Sequence, residues 1–185
     1  MSHEAPAAAP LLRPNARFLF AHVAHWIALG AGAGLSRKAP GTVGTLWAWA
    51  AFLVVDSLFS PAAWVWSVII ALTLLVGWWA SVATVRRCGV QDPGYIVIDE
   101  IAAFWLVLWL IMPLGLLGQA LAFGLFRYFD AAKPGPVRWA DQAFKGGGWR
   151  GAWGIMFDDL VAAFCTLLVM ALLFFTAPSV GDFLR

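Results

Sequence analysis

The chain has 185 residues, of which 62% are hydrophobic and 12% charged, with a formal net charge of +2. Soluble domains are closer to half apolar and a quarter charged, and a protein of this size has too little interior to hide so much apolar surface. The composition therefore excludes a soluble domain, a disordered chain and a disulfide scaffold, and it indicates an integral membrane protein.

The N-terminal region is predicted to contain no spanning helix. Residues 1–17 are rich in Ala and Pro at their start and are predicted to be a mobile segment. The apolar run over residues 18–29 is shorter than the roughly 20 residues that cross a bilayer, which favours a re-entrant or interfacial helix. His22 and His25 share one face of it and predict a polar stripe at the headgroup level. Residues 18–185 are expected to form a single membrane domain.

Two long apolar segments follow a loop. Residues 30–44 are predicted to be a loop because of their glycines and prolines. Residues 45–59 and 62–84 are nearly all apolar and are predicted to be spanning helices that turn at residues 60–61. Their tryptophans fall toward the segment ends, as in interfacial aromatic belts.

The next apolar segment, residues 102–126, either crosses once or forms a hairpin that turns within residues 113–118. A hairpin places nearly all Lys and Arg residues on one side of the membrane, which the positive-inside rule favours. The sequence therefore predicts a hairpin with helices over roughly residues 96–112 and 114–130, before a last spanning segment over residues 154–176. The polar residues then gather at the cytoplasmic surface.

Seven of the ten acidic residues lie between positions 92 and 159, close to or inside apolar segments. Asp99 and Glu100 open an apolar helix, and Asp158 and Asp159 stand near the start of the last apolar segment. Two carboxylates at a helix start can simply stabilise the helix dipole. Ionisable groups at the entrance to a membrane segment are costly and usually functional, however, which favours a functional role here.

A second polar constellation carries both signs of charge. Arg127, Asp130 and Lys133 are spaced by three residues and share a helix face, either as a salt-bridged cap or as one metal ligand beside two phosphate-binding cations. Carboxylates in a region without histidine suit Mg²⁺ or Mn²⁺ rather than zinc. Lys38 and Thr42 stand in a glycine-containing stretch before a helix, which is a weak anion-binding signal. These features predict metal-assisted phosphate-ester chemistry on a lipid.

Four stretches together resemble the phosphatidylglycerophosphatase A family, in the same order: GLSRKAPGTVGTL (34–46), DPGYIVIDE (92–100), FRYFDAAKPGPVRWAD (126–141) and GIMFDDLVA (154–162). The resemblance implies an all-α, polytopic membrane helical bundle in the bacterial inner membrane, with its active site on the cytoplasmic side. It implies an Mg²⁺-dependent enzyme that removes the terminal phosphate of phosphatidylglycerophosphate. Its partners would be the phospholipid substrate and the membrane, without nucleic acid.

The resemblance also implies roles for individual residues of this chain. The acidic residues implied as catalytic and metal-binding are Asp99, Glu100, Asp130, Asp158 and Asp159. The residues implied as phosphate-binding are Arg127, Lys133, Lys38 and Thr42. The residues expected to surround and hold this set are Asp92, Arg138 and Asp141.

Other classes of membrane protein predict different motifs and different positions of the acidic residues. An ion or proton transporter would use the acidic residues as a coupling site, but it predicts acids near mid-membrane and inverted repeats. The acids here sit near segment ends, and the sequence has no evident repeat. A CDP-alcohol phosphotransferase needs a D-G-x-x-A-R motif, which the sequence lacks. A structural subunit would leave the acidic residues unexplained.

Overall fold

The structure is a computed structural model that describes residues 13–90, 93–112, 114–144 and 148–184, apart from the side chains of residues 148–150, 152, 180 and 182. The described residues form α-helices, one 3₁₀ segment (Gly30–Leu35) and no strands, which confirms the all-α prediction. The helices are α1 (Ala16–Phe20), α2 (Val23–Ala28), α3 (Pro40–Phe59), α4 (Ala63–Cys88), α5 (Ile98–Leu110), α6 (Leu116–Ala132), α7 (Pro136–Ala143), α8 (Gly148–Thr176) and α9 (Pro178–Phe183).

Three helices among the described residues are long and apolar enough to cross a membrane: α3, α4 and the part of α8 from Trp153 to Thr176. They correspond to the three predicted spanning segments. Helix α3 begins earlier than predicted, because Pro40 has the backbone angle that a first helical turn requires. It ends at the predicted turn, where Ser60 adopts a left-handed conformation before Pro61.

Helices α5 and α6 form the predicted hairpin. The start of α5 and the end of α6 lie together, since Glu100 Oε1 is 3.9 Å from Arg127 Nη1. At the turn, the Gly115 N–H donates to the Leu184 carbonyl at 2.9 Å. Helix α5 is shorter than predicted at both ends, whereas α6 has about the predicted length and begins and ends two residues later. Helix α5 rises only about 20 Å, against roughly 30 Å for the hydrocarbon core of a bilayer. Helix α5 is therefore too short to cross the bilayer by itself.

Helix α5 occupies the centre of the bundle. Residues 101–104 are buried, and α3, α4, α6 and α8 all pack against the helix. Two glycines permit close approach at its start: a Cβ at Gly44 would press on Val97, and one at Gly77 would press on Ile98. The Trp105 indole N–H donates to the Ala48 carbonyl at 2.8 Å, which fixes α5 against α3.

The N-terminal apolar run differs from its prediction. It forms two short helices, because the His22 ring accepts a hydrogen bond from the Ala24 N–H at 3.1 Å and so starts α2 afresh. The expected stripe at the headgroup level is wrong for His25, which is buried and stacked on Phe18 at 4.1 Å. Of the segment expected to be mobile, residues 1–12 lie outside the described residues and residues 16–17 belong to α1.

Gly34 is a point where the backbone itself leaves no room for a side chain. A Cβ there would overlap the carbonyl oxygen of Tyr95, which cannot rotate away as a side chain can. We expect Gly34→Ala to reduce the free energy of unfolding by about 2 kcal/mol or more. The control is Gly124→Ala in α6, where a Cβ meets no atom of the described residues within 4 Å. Thermal unfolding in detergent measures both variants, and a Gly34→Ala protein as stable as the wild type would contradict this packing.

Candidate active site

Three carboxylates from two helices meet at one end of the bundle. Asp99 and Glu100 lie in the first turn of α5, and Asp159 lies in α8. One carboxylate oxygen of each residue lies within 4.8 Å of those of the other two. Asp99 and Asp159 are only 6% and 4% exposed. Like charges this close and this buried repel each other, so the cluster suits a bound cation.

The three carboxylates line a cavity of about 100 Å³ that Asp130, Lys133 and Asp158 also line. Glu100 Oε2 and Asp158 Oδ1 are buried and have no hydrogen-bond partner among the residues that the structure describes. A buried polar atom without a partner is costly, whereas carboxylate oxygens are the ligands that hard divalent cations prefer. The donor set is therefore chemically suited to Mg²⁺, and the unpartnered oxygens provide free coordination positions.

The remaining two predicted metal ligands are paired with basic side chains. Asp130 Oδ2 is in direct contact with Arg127 Nη1, one helical turn away in α6. Asp158 Oδ2 lies 2.6 Å from Lys133 Nζ. The structure thus brings all five predicted carboxylates to one cavity. Three of them form a cluster with one another, and the other two are paired with the basic side chains of Arg127 and Lys133. The metal-binding role of Asp130 and Asp158 remains a prediction.

Lys133 links two parts of the site. It caps α6 in a left-handed conformation (φ 44°), and Pro134 follows it. Its ammonium group lies 2.5 Å from Asp141 Oδ1, as well as beside Asp158. Burial alone would lower the pKa of Lys133, but the hydrogen bonds to Asp141 and Asp158 outweigh it and raise the pKa above its ordinary value. Lys133 is therefore charged at neutral pH.

The start of α3 forms another wall of the site, through Gly41 and Thr45 rather than through the predicted Lys38 and Thr42. A Cβ at Gly41 would overlap Glu100 Oε1 and would lie 3.2 Å from Arg127 Nη1. The Thr45 hydroxyl lies 3.3 Å from the same Arg127 nitrogen. Both residues belong to the stretch that resembles the family, but nothing in their spacing indicates an approach to a carboxylate far along the chain.

The structure does not bring every predicted residue to the cavity. Lys38 is exposed in the turn before α3, Thr42 is half-buried in the first turn of α3, and Arg138 is exposed on α7. None of these three lines the described cavity, so their phosphate-binding or supporting roles remain predictions. Asp141 takes part through Lys133. Asp92 lies outside the described residues.

Replacing Lys133 tests whether the basic side chains at the cavity take part in the activity. We expect Lys133→Gln to lower the phosphate-releasing activity that the resemblance implies by about a hundredfold, because it removes a positive charge and leaves the buried Asp158 uncompensated. Arg87→Gln, at the exposed end of α4, is the matched control and should leave activity within about threefold. Phosphate release at neutral pH measures both. Equal activity of the two variants would contradict a role for Lys133 at the site.

Fold and site together define a class of protein: a helical membrane protein whose carboxylates, arginine and lysine surround one polar cavity, as in a phosphatase that acts on a lipid head group. The chain belongs to the phosphatidylglycerophosphatase A family, whose family profile matches residues 26–174. The predicted family is thereby confirmed.

Curated relatives lead to the same family. A phosphatidylglycerophosphatase A of Haemophilus influenzae is 36% identical over 79% of this chain and 85% of its own length. The Escherichia coli protein of that name is 35% identical over 75% of this chain and 76% of its own length. A Bacteroides thetaiotaomicron protein, named provisionally as a phosphatidylinositol-3-phosphatase, is 31% identical over 78% of this chain and 89% of its own length. No solved structure matches the chain.

Proposed function

We propose that this protein hydrolyses the terminal phosphate monoester of phosphatidylglycerophosphate to phosphatidylglycerol and inorganic phosphate, with Mg²⁺ held by Asp99, Glu100 and Asp159. Membership of the phosphatidylglycerophosphatase A family supports the reaction. The meeting of three carboxylates within 4.8 Å is the observation that supports the metal. The product is a membrane phospholipid, so the reaction belongs to phospholipid biosynthesis.

The two basic side chains at the cavity suit the phosphate. Arg127 has the planar donor geometry that grips phosphate oxygens in pairs, and Lys133 supplies a compact charge. Asp130 and Asp141 hold these two cations in place. When bound, Mg²⁺ would neutralise phosphate oxygens and acidify a water molecule. Burial strengthens each of these charge interactions, because little water screens them.

The location of the site at one end of the bundle supports a cytoplasmic active site in a bacterial inner membrane. Arg37 and Lys38 precede α3 at this end, and Arg86 and Arg87 end α4 nearby. Asp56 lies near the opposite end of α3. The positive-inside rule places the basic end in the cytoplasm.

The same location argues against the transporter alternative. Asp99 and Glu100 open their helix, and Asp158 lies only about 8 Å along the helix axis from Trp153, where the spanning part of α8 begins. A coupling site for ions is expected near the middle of the membrane instead.

Phosphate release from phosphatidylglycerophosphate by the purified protein in detergent tests the proposal. We expect release with Mg²⁺ and none with excess EDTA. Phosphatidylinositol 3-phosphate and phosphatidic acid, offered under the same conditions, should be poorer substrates. The proposal is wrong if folded protein releases no phosphate with Mg²⁺. A cation flux in proteoliposomes without phosphatase activity would favour the transporter.

A further inference from the structure

We infer that Thr45 is a positioning residue, which holds the Arg127 guanidinium beside the acidic cluster. The role in catalysis rests on the proposed function, because Arg127 is there the phosphate-binding group. The contact itself joins two helices that are far apart in sequence, α3 and α6.

The Thr45 hydroxyl donates its proton to a backbone carbonyl and not to Arg127. The side chain is fully buried, and its O–H donates to the Gly41 carbonyl one turn earlier at 2.8 Å. The lone pairs of the oxygen are left to accept from Arg127 Nη1 at 3.3 Å. This back-bonding fixes the direction of the hydroxyl, so Thr45 presents a fixed neutral acceptor to the arginine.

A neutral acceptor matters because the other oxygen atoms found close to Arg127 among the described residues belong to carboxylates. Its Nη1 contacts Asp130 Oδ2 and lies 3.9 Å from Glu100 Oε1, and its buried Nε has no hydrogen-bond partner within the described part of the chain. A hydroxyl orients the guanidinium without cancelling its charge. Without the Thr45 hydroxyl, the Arg127 guanidinium can move onto Glu100 and form an ion pair with the carboxylate that the metal ion needs. Thr45 therefore keeps Arg127 available to phosphate and Glu100 available to metal.

A second contact between α3 and α6 lies close to that of Thr45. One turn further along α3, the Trp49 indole N–H donates to Gln119 Oε1 at 2.7 Å, and its ring stacks on Phe123 at 5.7 Å. Trp49→Phe removes that hydrogen bond and keeps an aromatic ring. It therefore weakens the same helix contact without touching Arg127, which makes it the control for a merely structural effect.

Kinetics of phosphate release by Thr45→Val, Thr45→Ser and Trp49→Phe test the inference. Val has the shape of Thr but no acceptor, so we expect kcat/KM to fall about tenfold or more, on the scale of a misplaced catalytic group. Ser keeps the hydroxyl and should remain within about threefold of wild type, as should Trp49→Phe. In an Arg127→Ala background, Thr45→Val should cause no further loss, because the two residues act as a unit.

Four outcomes overturn the inference while leaving the proposed function intact. Two concern Thr45 itself: a fully active Thr45→Val, or a Thr45→Ser variant whose kcat/KM falls as far as that of Thr45→Val. The other two are an equal loss of kcat/KM in Trp49→Phe and a further loss when Thr45→Val is added to Arg127→Ala. An inactive wild type overturns the proposed function instead. The contact is then judged by melting temperature alone. Thr45→Val should lower it in the wild-type background and not in Arg127→Ala, and equal shifts in both backgrounds overturn the inference.

Discussion

Asp159→Asn is expected to abolish phosphate release, with kcat falling by about a thousandfold, on the scale of losing one well-placed electrostatic group. The carboxylate is buried and shares a cluster with Asp99 and Glu100. Asparagine has the same shape and no charge, so it removes a cation ligand without leaving a hole. The rate of phosphate release at saturating lipid and Mg²⁺ measures the effect.

Stability separates loss of the metal site from loss of the fold. In EDTA, Asp159→Asn should melt at a higher temperature than the wild type, because it relieves repulsion among buried carboxylates. Added Mg²⁺ should stabilise the wild type and not the variant. Asp56→Asn is the control, since this half-buried acid lies on α3 away from the cavity, 3.5 Å from the Trp66 indole nitrogen. An active Asp159→Asn would contradict the assignment.

Gly41→Ala is expected to lower kcat/KM by about a hundredfold, because about 1 Å of displacement at a catalytic group costs that much. The added Cβ would overlap Glu100 Oε1 and press on Arg127 Nη1. Glu100 must then turn away from the other two carboxylates or push the guanidinium aside. Alanine is favoured over glycine in a helix, so the loss should occur without a large loss of stability.

Gly124→Ala is the matched control for this variant. It makes the same chemical change in α6, where the new Cβ comes within 4 Å of no atom in the described ranges. We expect it to keep full activity and to gain up to about 1 kcal/mol of stability from the better helix former. If Gly41→Ala also kept full activity, the start of α3 would not be a wall of the active site.

The positions of the carboxylates were predictable from the sequence, and so was the hairpin that brings them together. Asp99 and Asp159 lie at the starts of apolar segments, where burying an ionisable group costs free energy. An ionisable residue at such a position therefore usually has a function. The distribution of Lys and Arg residues then favours the hairpin, which places the end of α6 beside the start of α5. Both arguments use only local composition and the physics of the bilayer.

Contacts between helices were not predictable in this way. The approach of Gly41 to Glu100 depends on how α3 crosses α5. A glycine at the start of a helix does not indicate which distant residue it contacts. The same applies to the division of the carboxylates, because Lys133 meets Asp158 only through the packing of α6 on α8. His25 was mispredicted because helix spacing does not reveal that α1 folds over its ring.

Binding of Mn²⁺, as a paramagnetic substitute for Mg²⁺, is a direct test of the cation site. Titrating wild-type protein and Asp159→Asn in detergent, with free Mn²⁺ followed by electron paramagnetic resonance, counts bound ions without any substrate. We expect the wild type to bind at least one ion that excess Mg²⁺ displaces. This binding should be lost in Asp159→Asn but not in Asp56→Asn. Equal binding by the wild type and Asp159→Asn would contradict a cation site at Asp99, Glu100 and Asp159.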